Sequence, residues 1–431
     1  MAALLPGIAE PAHWYVAPDG RDSAAGSSDA PFGTLGRAQQ SAAPGDTVFL
    51  RGGTYRLTPE MLQGRRLFAR LIVLDKSGQA GAPITYQAFE NERPVFDCSE
   101  VKPDGRRVTA FYVSGSWLHL VGIDVTGVQV TMKGHTQSIC FESQGSHNVF
   151  ERLTMHDGQA IGLYHVNGGD NLFLNCDAWN NWDFTSEDGK GGNVDGFGCH
   201  PPPGGKNNVF RGCRAWFNSD DGFDCISAAE AVTFEDCWAL FSGLSRDGKR
   251  LADGNGFKAG GYGSRPADEL PDPIPRHVVR RCIAVGNRSS GFYANHHPGG
   301  CDWLNNSAFR NGTDFNMLGR LSDNRTDIDG EGHRLFNNLS YGGKRVLGRV
   351  NLEKCELAGN SFTITPPLSD QDFVSVDDGQ LLRPRQADGT LPAGTFLKPV
   401  AGGRLVDSGV ATGMPFRGAS PDIGAIEVER R

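Results

Sequence analysis

Asn171-Leu-Phe173-Leu-Asn-Cys176 returns as Asn208-Val-Phe210-Arg-Gly-Cys213, as Val232-Thr-Phe234-Glu-Asp-Cys237 and as Val278-Val279-Arg-Arg-Cys282. Each copy runs on into a small residue and an apolar one: Ala178-Trp179, Ala215-Trp216, Ala239-Leu240 and Ala284-Val285. Asn148-Val-Phe150-Glu-Arg-Leu153 opens the series, and Asn306-Ser-Ala308-Phe309 and Asn338-Leu-Ser-Tyr341 extend it. The aligned positions 153, 176, 213, 237, 282, 306 and 338 lie 23, 37, 24, 45, 24 and 32 residues apart, a base period of 23 to 24 broken by insertions. Short alternating strands at that period, punctuated by Gly, Asn and Asp, specify a solenoid of parallel strands. The expected fold is therefore all-β, a right-handed parallel β-helix with coils stacked ~4.8 Å apart.

A second register follows about ten residues behind the first. Its rungs are Gly162-Leu163-Tyr164, Gly196-Phe197-Gly198, Gly222-Phe223-Asp224, Gly256-Phe257-Lys258, Gly291-Phe292-Tyr293 and Asp314-Phe315-Asn316. The Phe/Leu position should stack inward, and strand alternation sends the next residue outward. Gly198, Asp224, Lys258 and Tyr293 then form one outward column, and Asp195, Asp221 and Asn255 another just before the glycine. Cys176, Cys213, Cys237 and Cys282 fall in one inward column, with Cys199 and Cys225 in a second. They read as a small apolar core ladder and not as a nucleophile or metal box.

The ends differ from the middle. Residues 14–60 read as a strand, a turn-rich loop and a short helix from Thr34 to about Ala43, ended by Pro44-Gly45-Asp46 before the strand Thr47–Leu50. That helix caps the open end of the solenoid. Residues 61–362 supply the coils, and 363–431 a tail packed back on them, so that 1–431 is read as a single domain. Insertions at 181–194, 242–255 and 262–276 flank the charged rungs and are expected to wall a groove.

Bulk properties remove several function classes. With 431 residues, 38% of them hydrophobic, and 58 glycines, the chain does not read as a helical bundle. No stretch approaches ~20 apolar residues, so no membrane span is expected. A net charge of −8 disfavours nucleic acid or anionic lipid as a partner. Ten cysteines without a C-x-x-C pair give no zinc motif, and a chain this long has no need of a disulfide framework. Met1-Ala-Ala-Leu-Leu-Pro6 lacks a basic start and is too short in its apolar run to be a signal peptide. A mature secreted chain with a replacement methionine would begin this way, and so would a cytosolic one.

Asp195, Asp220, Asp221 and Asp224, forced within one or two rungs, would repel one another unless a cation sat among them. Oxygen-only donors favour Ca²⁺ over zinc or copper. Lys258 shares a column with Asp224, and a divalent cation nearby disfavours its ammonium form and suits it to act as a base. A uronate carboxylate bridging to the cation would have an acidified C5 proton. Loss of that proton to Lys258 and departure of the 4-O-linked sugar is a β-elimination.

Asp195-Gly-Phe, Ser219-Asp-Asp-Gly-Phe-Asp224 and Gly254-Asn-Gly-Phe-Lys258 resemble the calcium and base motifs of polysaccharide lyase family 9, which holds pectate lyases and rhamnogalacturonan lyases. The resemblance runs from the Trp14 cap to Pro421-Asp-Ile-Gly-Ala-Ile426. It implies calcium ligands at Asp195, Asp220, Asp221 and Asp224, with Lys258 as the Brønsted base. The expected substrate is an acidic pectic polysaccharide, either polygalacturonate or rhamnogalacturonan I. A monomer that acts in the periplasm or after secretion is expected. His296, His297 and Arg320 are candidate substrate contacts, His297 and Arg320 sharing an offset of five from their ladder phenylalanines. Tyr164, His165, Lys190 and Tyr293 are expected to face the groove, the tyrosines offering sugar-stacking surfaces. Two rival readings are a β-helix glycoside hydrolase with an aspartate acid/base pair among Asp220, Asp221 and Asp224, and a non-catalytic carbohydrate-binding β-helix with structural Ca²⁺.

Overall fold

Asn175, with φ +54°, turns the chain between the strands Leu172–Leu174 and Asp177–Trp179 in only two residues. The same corner recurs coil after coil at Arg152, Gly212, Asp236, Arg281, Asn305 and Asn337, all with φ between +51° and +64°. Left-handed backbone suits Gly, Asn and Asp, which explains most of the residues standing before the repeat's final Cys or its equivalent. Arg281 carries that strain while its guanidinium is held by Asp236, Nε to Oδ1 at 2.7 Å.

A computed structural model describes residues 10–64 and 66–428 of this chain. The opening Met1–Pro6, considered above as a leader, lies outside the described residues. Among these, twelve strands from His13–Val16 to Glu356–Ala358 form a first parallel sheet. Ten from Gly53–Arg56 to Leu339–Tyr341 form a second, and ten from Phe68–Leu74 to Leu347–Gly348 a third. Successive coils add one strand to each sheet in strict order, which is the topology of a parallel β-helix.

The interior is a set of stacks. In the first sheet Phe150, Phe173, Phe210 and Phe234 lie with ring centroids 5.2, 4.2 and 5.4 Å apart. In the third, Phe197, Phe223, Phe257, Phe292 and Phe315 follow at 4.9, 4.8, 5.2 and 4.8 Å. Full burial of each such ring contributes roughly 1.5–3 kcal/mol. Cys176, Cys213, Cys237 and Cys282 are buried thiols in one column, as are Cys199 and Cys225, and all are free. Buried asparagines satisfy the corners: Asn306 Nδ2 donates to Val279 O of the previous coil at 2.9 Å, and Asn338 Oδ1 accepts from Asn306 N at 3.1 Å.

Both ends of the chain cover the solenoid. Helix Leu35–Ser41, N-capped by Thr34, buries Leu35 and Ala38 against the first coil. From residue 363 the chain runs along the outer face of the second sheet. There Phe373, Leu381, Phe396, Leu397, Leu405 and Ile423 pack on Leu240, Val285, Phe309 and Leu339. Asp177 anchors this layer, bridging Arg214 Nη2 at 3.0 Å and Arg385 Nη2 of the tail at 2.7 Å. Among the described residues no helix is long and apolar enough to cross a membrane.

Candidate active site

The third sheet carries the charged rungs. Its register pairs Tyr164 with Gly198, Gly198 with Asp224, Asp224 with Lys258 and Lys258 with Tyr293. The glycine before each phenylalanine is a packing requirement: a Cβ on Gly222 would stand 2.7 Å from Gly256 O and 2.9 Å from Ala239 Cβ. Close approach at that point lets the preceding residues stack as well, since Gly196 N donates to Asp221 O and Gly222 N to Asn255 O.

Backbone amides divide the work of the carboxylates. Asp195 Oδ1 accepts from Asp221 N at 3.0 Å, and Asp221 Oδ1 accepts from Asn255 N at 2.7 Å and Asn255 Nδ2 at 2.9 Å. Asp224 Oδ1 accepts from Ile226 N at 2.7 Å, and Asp220 Oδ1 from Asp253 N at 3.1 Å. Lys258 Nζ then lies 3.0 Å from Asp221 Oδ2 and 3.1 Å from Asp224 Oδ2. Asp221 Oδ2 is buried and accepts no hydrogen bond; its contact with Lys258 is an ion pair without hydrogen-bond alignment.

One oxygen from each of Asp195, Asp221 and Asp224 lies within 4.8 Å of the others, all three residues being buried. Asp220 is buried next to this trio but is not part of it; its neighbour is the Asp253 amide. Burial, followed by repulsion from the neighbouring aspartates, raises the Asp195 and Asp220 carboxyls well above the usual range. Asp221 is also raised, by burial first, against the lowering effect of Lys258. For Lys258 burial works to release the proton, but Asp221, Asp224, Asp195 and Asp220 together outweigh it and hold the ammonium form well above its ordinary range. Four carboxylates around one lysine leave excess negative charge out of water, and the donor set is all oxygen. Asp221 Oδ2, buried with only the Lys258 ammonium beside it, adds to the fit for a hard divalent cation.

The remaining sequence candidates separate into two groups. Tyr164 and Tyr293 flank the aspartate–lysine rungs half-buried, and neither hydroxyl has a hydrogen-bond partner among the described residues. Burial pushes Tyr293 up to about 12. His296 and Arg320 come together, but on a shared carboxylate: Asp327 Oδ1 lies 2.7 Å from His296 Nδ1 and 2.8 Å from Arg320 Nε. Lys190 stands on an exposed loop, 2.9 Å from Asp188.

His297 and His165 are turned inward instead. His297 is 2% exposed, donates from Nε2 to Pro275 O and accepts at Nδ1 from Gly261 N, and burial lowers it to about 4. Its bridge partner on the next coil is Gly319, one residue before Arg320, so the shared offset from the phenylalanines does not produce a stack. His165 is fully buried, bonded to Ser143 Oγ and Gly168 O, and also lowered to about 4 by burial. A sequence reading of groove residues misses His200. Its Nδ1 donates to Ile226 O at 2.7 Å, its ring packs on Tyr164 at 4.6 Å, and its Nε2 is buried without a partner. Its place two residues beyond the Gly198 gap in the charged column was the available signal.

Residues 14–334 match the family model described as Pel9A-like, right handed beta helix region. The chain belongs to this family. Pectate lyase L of Dickeya dadantii is 34% identical over 432 residues, covering 98% of this chain and 92% of that protein. Pectate lyase PEL9 of Emericella nidulans is 30% identical over 427 residues, covering 93% and 95%. Among solved structures, a rhamnogalacturonan lyase superposes with a TM-score of 0.87 at 44% identity, covering 90% of this chain and 97% of that one. Pectate lyase Pel9A superposes with a TM-score of 0.79 at 31% identity, covering 98% of each. Membership fixes the right-handed sense of the coil and makes the chain a polysaccharide lyase, as the resemblance to family 9 implied.

Proposed function

We propose that this chain cleaves a 4-linked, uronate-containing pectic polysaccharide, polygalacturonate or rhamnogalacturonan I, by calcium-dependent β-elimination with Lys258 as the base. The observation that carries the reading is the placement of Lys258 Nζ between Asp221 Oδ2 and Asp224 Oδ2, at 3.0 and 3.1 Å, in a buried acidic cluster. The names of the pectate and rhamnogalacturonan lyases it resembles support the substrate class.

Asp195, Asp221 and Asp224 would hold the cation, with Asp220 beside them. Bound there, calcium would offset their charge and draw electron density from a substrate carboxylate, acidifying the C5 proton. The protein's own residues do the rest. Lys258, once the aspartates no longer hold its proton, takes the proton from C5. The C5–H electrons form the C4=C5 double bond, the C4–O4 bond breaks, and the leaving oxygen is protonated by solvent. Tyr164 and Tyr293, on the rungs either side, contact the sugars flanking the bond. A polymeric plant-wall substrate also fits a chain that works outside the cytoplasm.

Digestion of purified polygalacturonate and rhamnogalacturonan I, with and without chelator, tests the reading through the ultraviolet absorbance of the unsaturated product. Lys258→Ala is expected to lower kcat by about 10²–10⁴-fold with the fold retained. Undiminished turnover in that variant removes Lys258 as the base, and depolymerisation without the unsaturated chromophore removes β-elimination.

A further inference from the structure

The insertions at 181–194 and 242–255 meet across a cleft of about 600 Å³ lined by Lys190, Arg250, Asp253 and Arg288, among others. It adjoins the acidic cluster directly, because Asp253 N donates to Asp220 Oδ1 at 3.1 Å. The volume falls in the range of small-ligand clefts.

Its charges are unevenly satisfied. Lys190 is paired with Asp188, and Glu187 with His135 at 3.2 Å and Asn193 at 3.1 Å. Arg288 has only carbonyl partners, Nη1 donating to Leu251 O and Ala252 O, and its Nε is buried without any. Arg250 is exposed, and its guanidinium has no partner among the described residues. The Asp253 carboxylate is likewise exposed and without one. Two guanidinium groups without carboxylates therefore stand beside one free carboxylate, in a chain whose net charge is −8. A guanidinium fork matches a carboxylate in two parallel hydrogen bonds, and a free carboxylate accepts from sugar hydroxyls.

We infer that this cleft is a second uronate subsite: Arg250 binds the carboxylate of a sugar near the scissile linkage, Arg288 adds positive charge behind it, and Asp253 accepts from that sugar's hydroxyls. The inference rests on the lyase reading above. It adds that affinity depends on a negatively charged sugar away from the reacting one, held by the 242–255 insertion and by Arg288 beside it.

The test is a binding measurement without turnover. Lys258→Ala protein with calcium is titrated calorimetrically with a galacturonate oligosaccharide and with its methyl ester, and the titrations are repeated after adding Arg250→Ala. The added change is expected to weaken binding of the acid about ten-fold while leaving the ester nearly unaffected, so that the acid-to-ester preference falls about ten-fold. Arg288→Gln, which removes the charge behind the site, is expected to lower that preference by a smaller factor. An acid affinity unchanged by Arg250→Ala overturns the inference, as does an equal loss for acid and ester, or an acid that does not bind the Lys258→Ala protein. Failure of the lyase reading shows elsewhere: the unaltered enzyme with calcium would release no unsaturated product from any uronate polymer.

Discussion

Lys258 Nζ and Asp221 Oδ2 lie 3.0 Å apart on adjacent coils, so the candidate base is ion-paired to a candidate calcium ligand. Each therefore sets the other's protonation. The aspartates favour the ammonium, and the ammonium partly offsets the buried charge of the aspartates. On the proposed mechanism such a base would be released only when other positive charge takes over that role, which would tie activity to the cation.

Calcium should stabilise the fold as well as activate it. A ligand that binds only the native state adds about 2.7 kcal/mol at a hundred-fold excess over its Kd. The melting temperature of the wild type is expected to rise with calcium and fall back with chelator. Asp221→Asn keeps an oxygen for the Asn255 amides but removes the charge, and its melting temperature should barely respond. A full calcium shift in that variant would take Asp221 out of the ligand set.

Phe223→Ala should cost about 3–5 kcal/mol. The ring is fully buried between Phe197 at 4.9 Å and Phe257 at 4.8 Å, with Phe210 and Phe234 against its edges. A rigid ladder cannot collapse into the gap, and urea unfolding at neutral pH measures the loss.

Acid should remove the stability that the buried histidines contribute, against the opposing gain from the buried carboxyls of Asp195, Asp220 and Asp221. His165 and His297 are lowered by burial to about 4, and His333 to about 3, from an ordinary 6.5. Between those values each of these histidines binds more protons unfolded than folded, so its contribution to stability falls as pH drops from 6.5 towards 4. Each histidine contributes about 2 kcal/mol of that loss by pH 5. Denaturation midpoints of the wild type and of His297→Gln at pH 7 and pH 5 check it: the variant should lose about 2 kcal/mol less than the wild type on acidification.

Arg385→Ala should loosen the tail and spare the chemistry. Arg385 joins the tail to Asp177, to Cys176 O and to Gly212 O, on the second sheet and away from the charged rungs. Limited proteolysis is expected to cut the variant within residues 363–428 faster than the wild type, with kcat unchanged. Equal cleavage rates would show that the apolar contacts of Phe373, Leu381 and Phe396 hold the layer unaided.

Much of this was legible in the chain because a parallel solenoid turns sequence offset into position. Phe197, Phe223 and Phe257 align in the sequence and therefore in space, and they carry Asp224 and Lys258 into one column. The capping helix was likewise visible, from its Thr34 cap to within a residue or two of its end at Ser41. What depends on loop conformation was not legible. His296 and His297 are neighbours in sequence with opposite fates, because both Asn295 and His296 adopt left-handed backbone and turn His297 into the core. Asp253 and Arg250 lie in an insertion that belongs to no repeat, and only its folded course brings them to one cleft with Arg288, which follows the stacked Asn287. Asp220 adjoins Asp221 in sequence but points its Oδ1 at the Asp253 amide, a contact supplied by an insertion.

The amide bonds to Oδ1 of Asp195, Asp221 and Asp224 leave a consequence for ion choice. With one oxygen of each carboxylate fixed to the backbone, the other oxygen of Asp195 is offset from those of Asp221 and Asp224 by the ~4.8 Å distance between strands, while Asp221 and Asp224 are spaced by the Gly222-Phe223 backbone of a single coil. Side-chain rotamers have little freedom to adjust it. A cation bound there would be matched against the pitch of the coil itself, and a smaller one would meet ligands that cannot close around it. On the proposed reading, discrimination between metals would be a property of the sheet, shared by every variant that keeps the ladder intact.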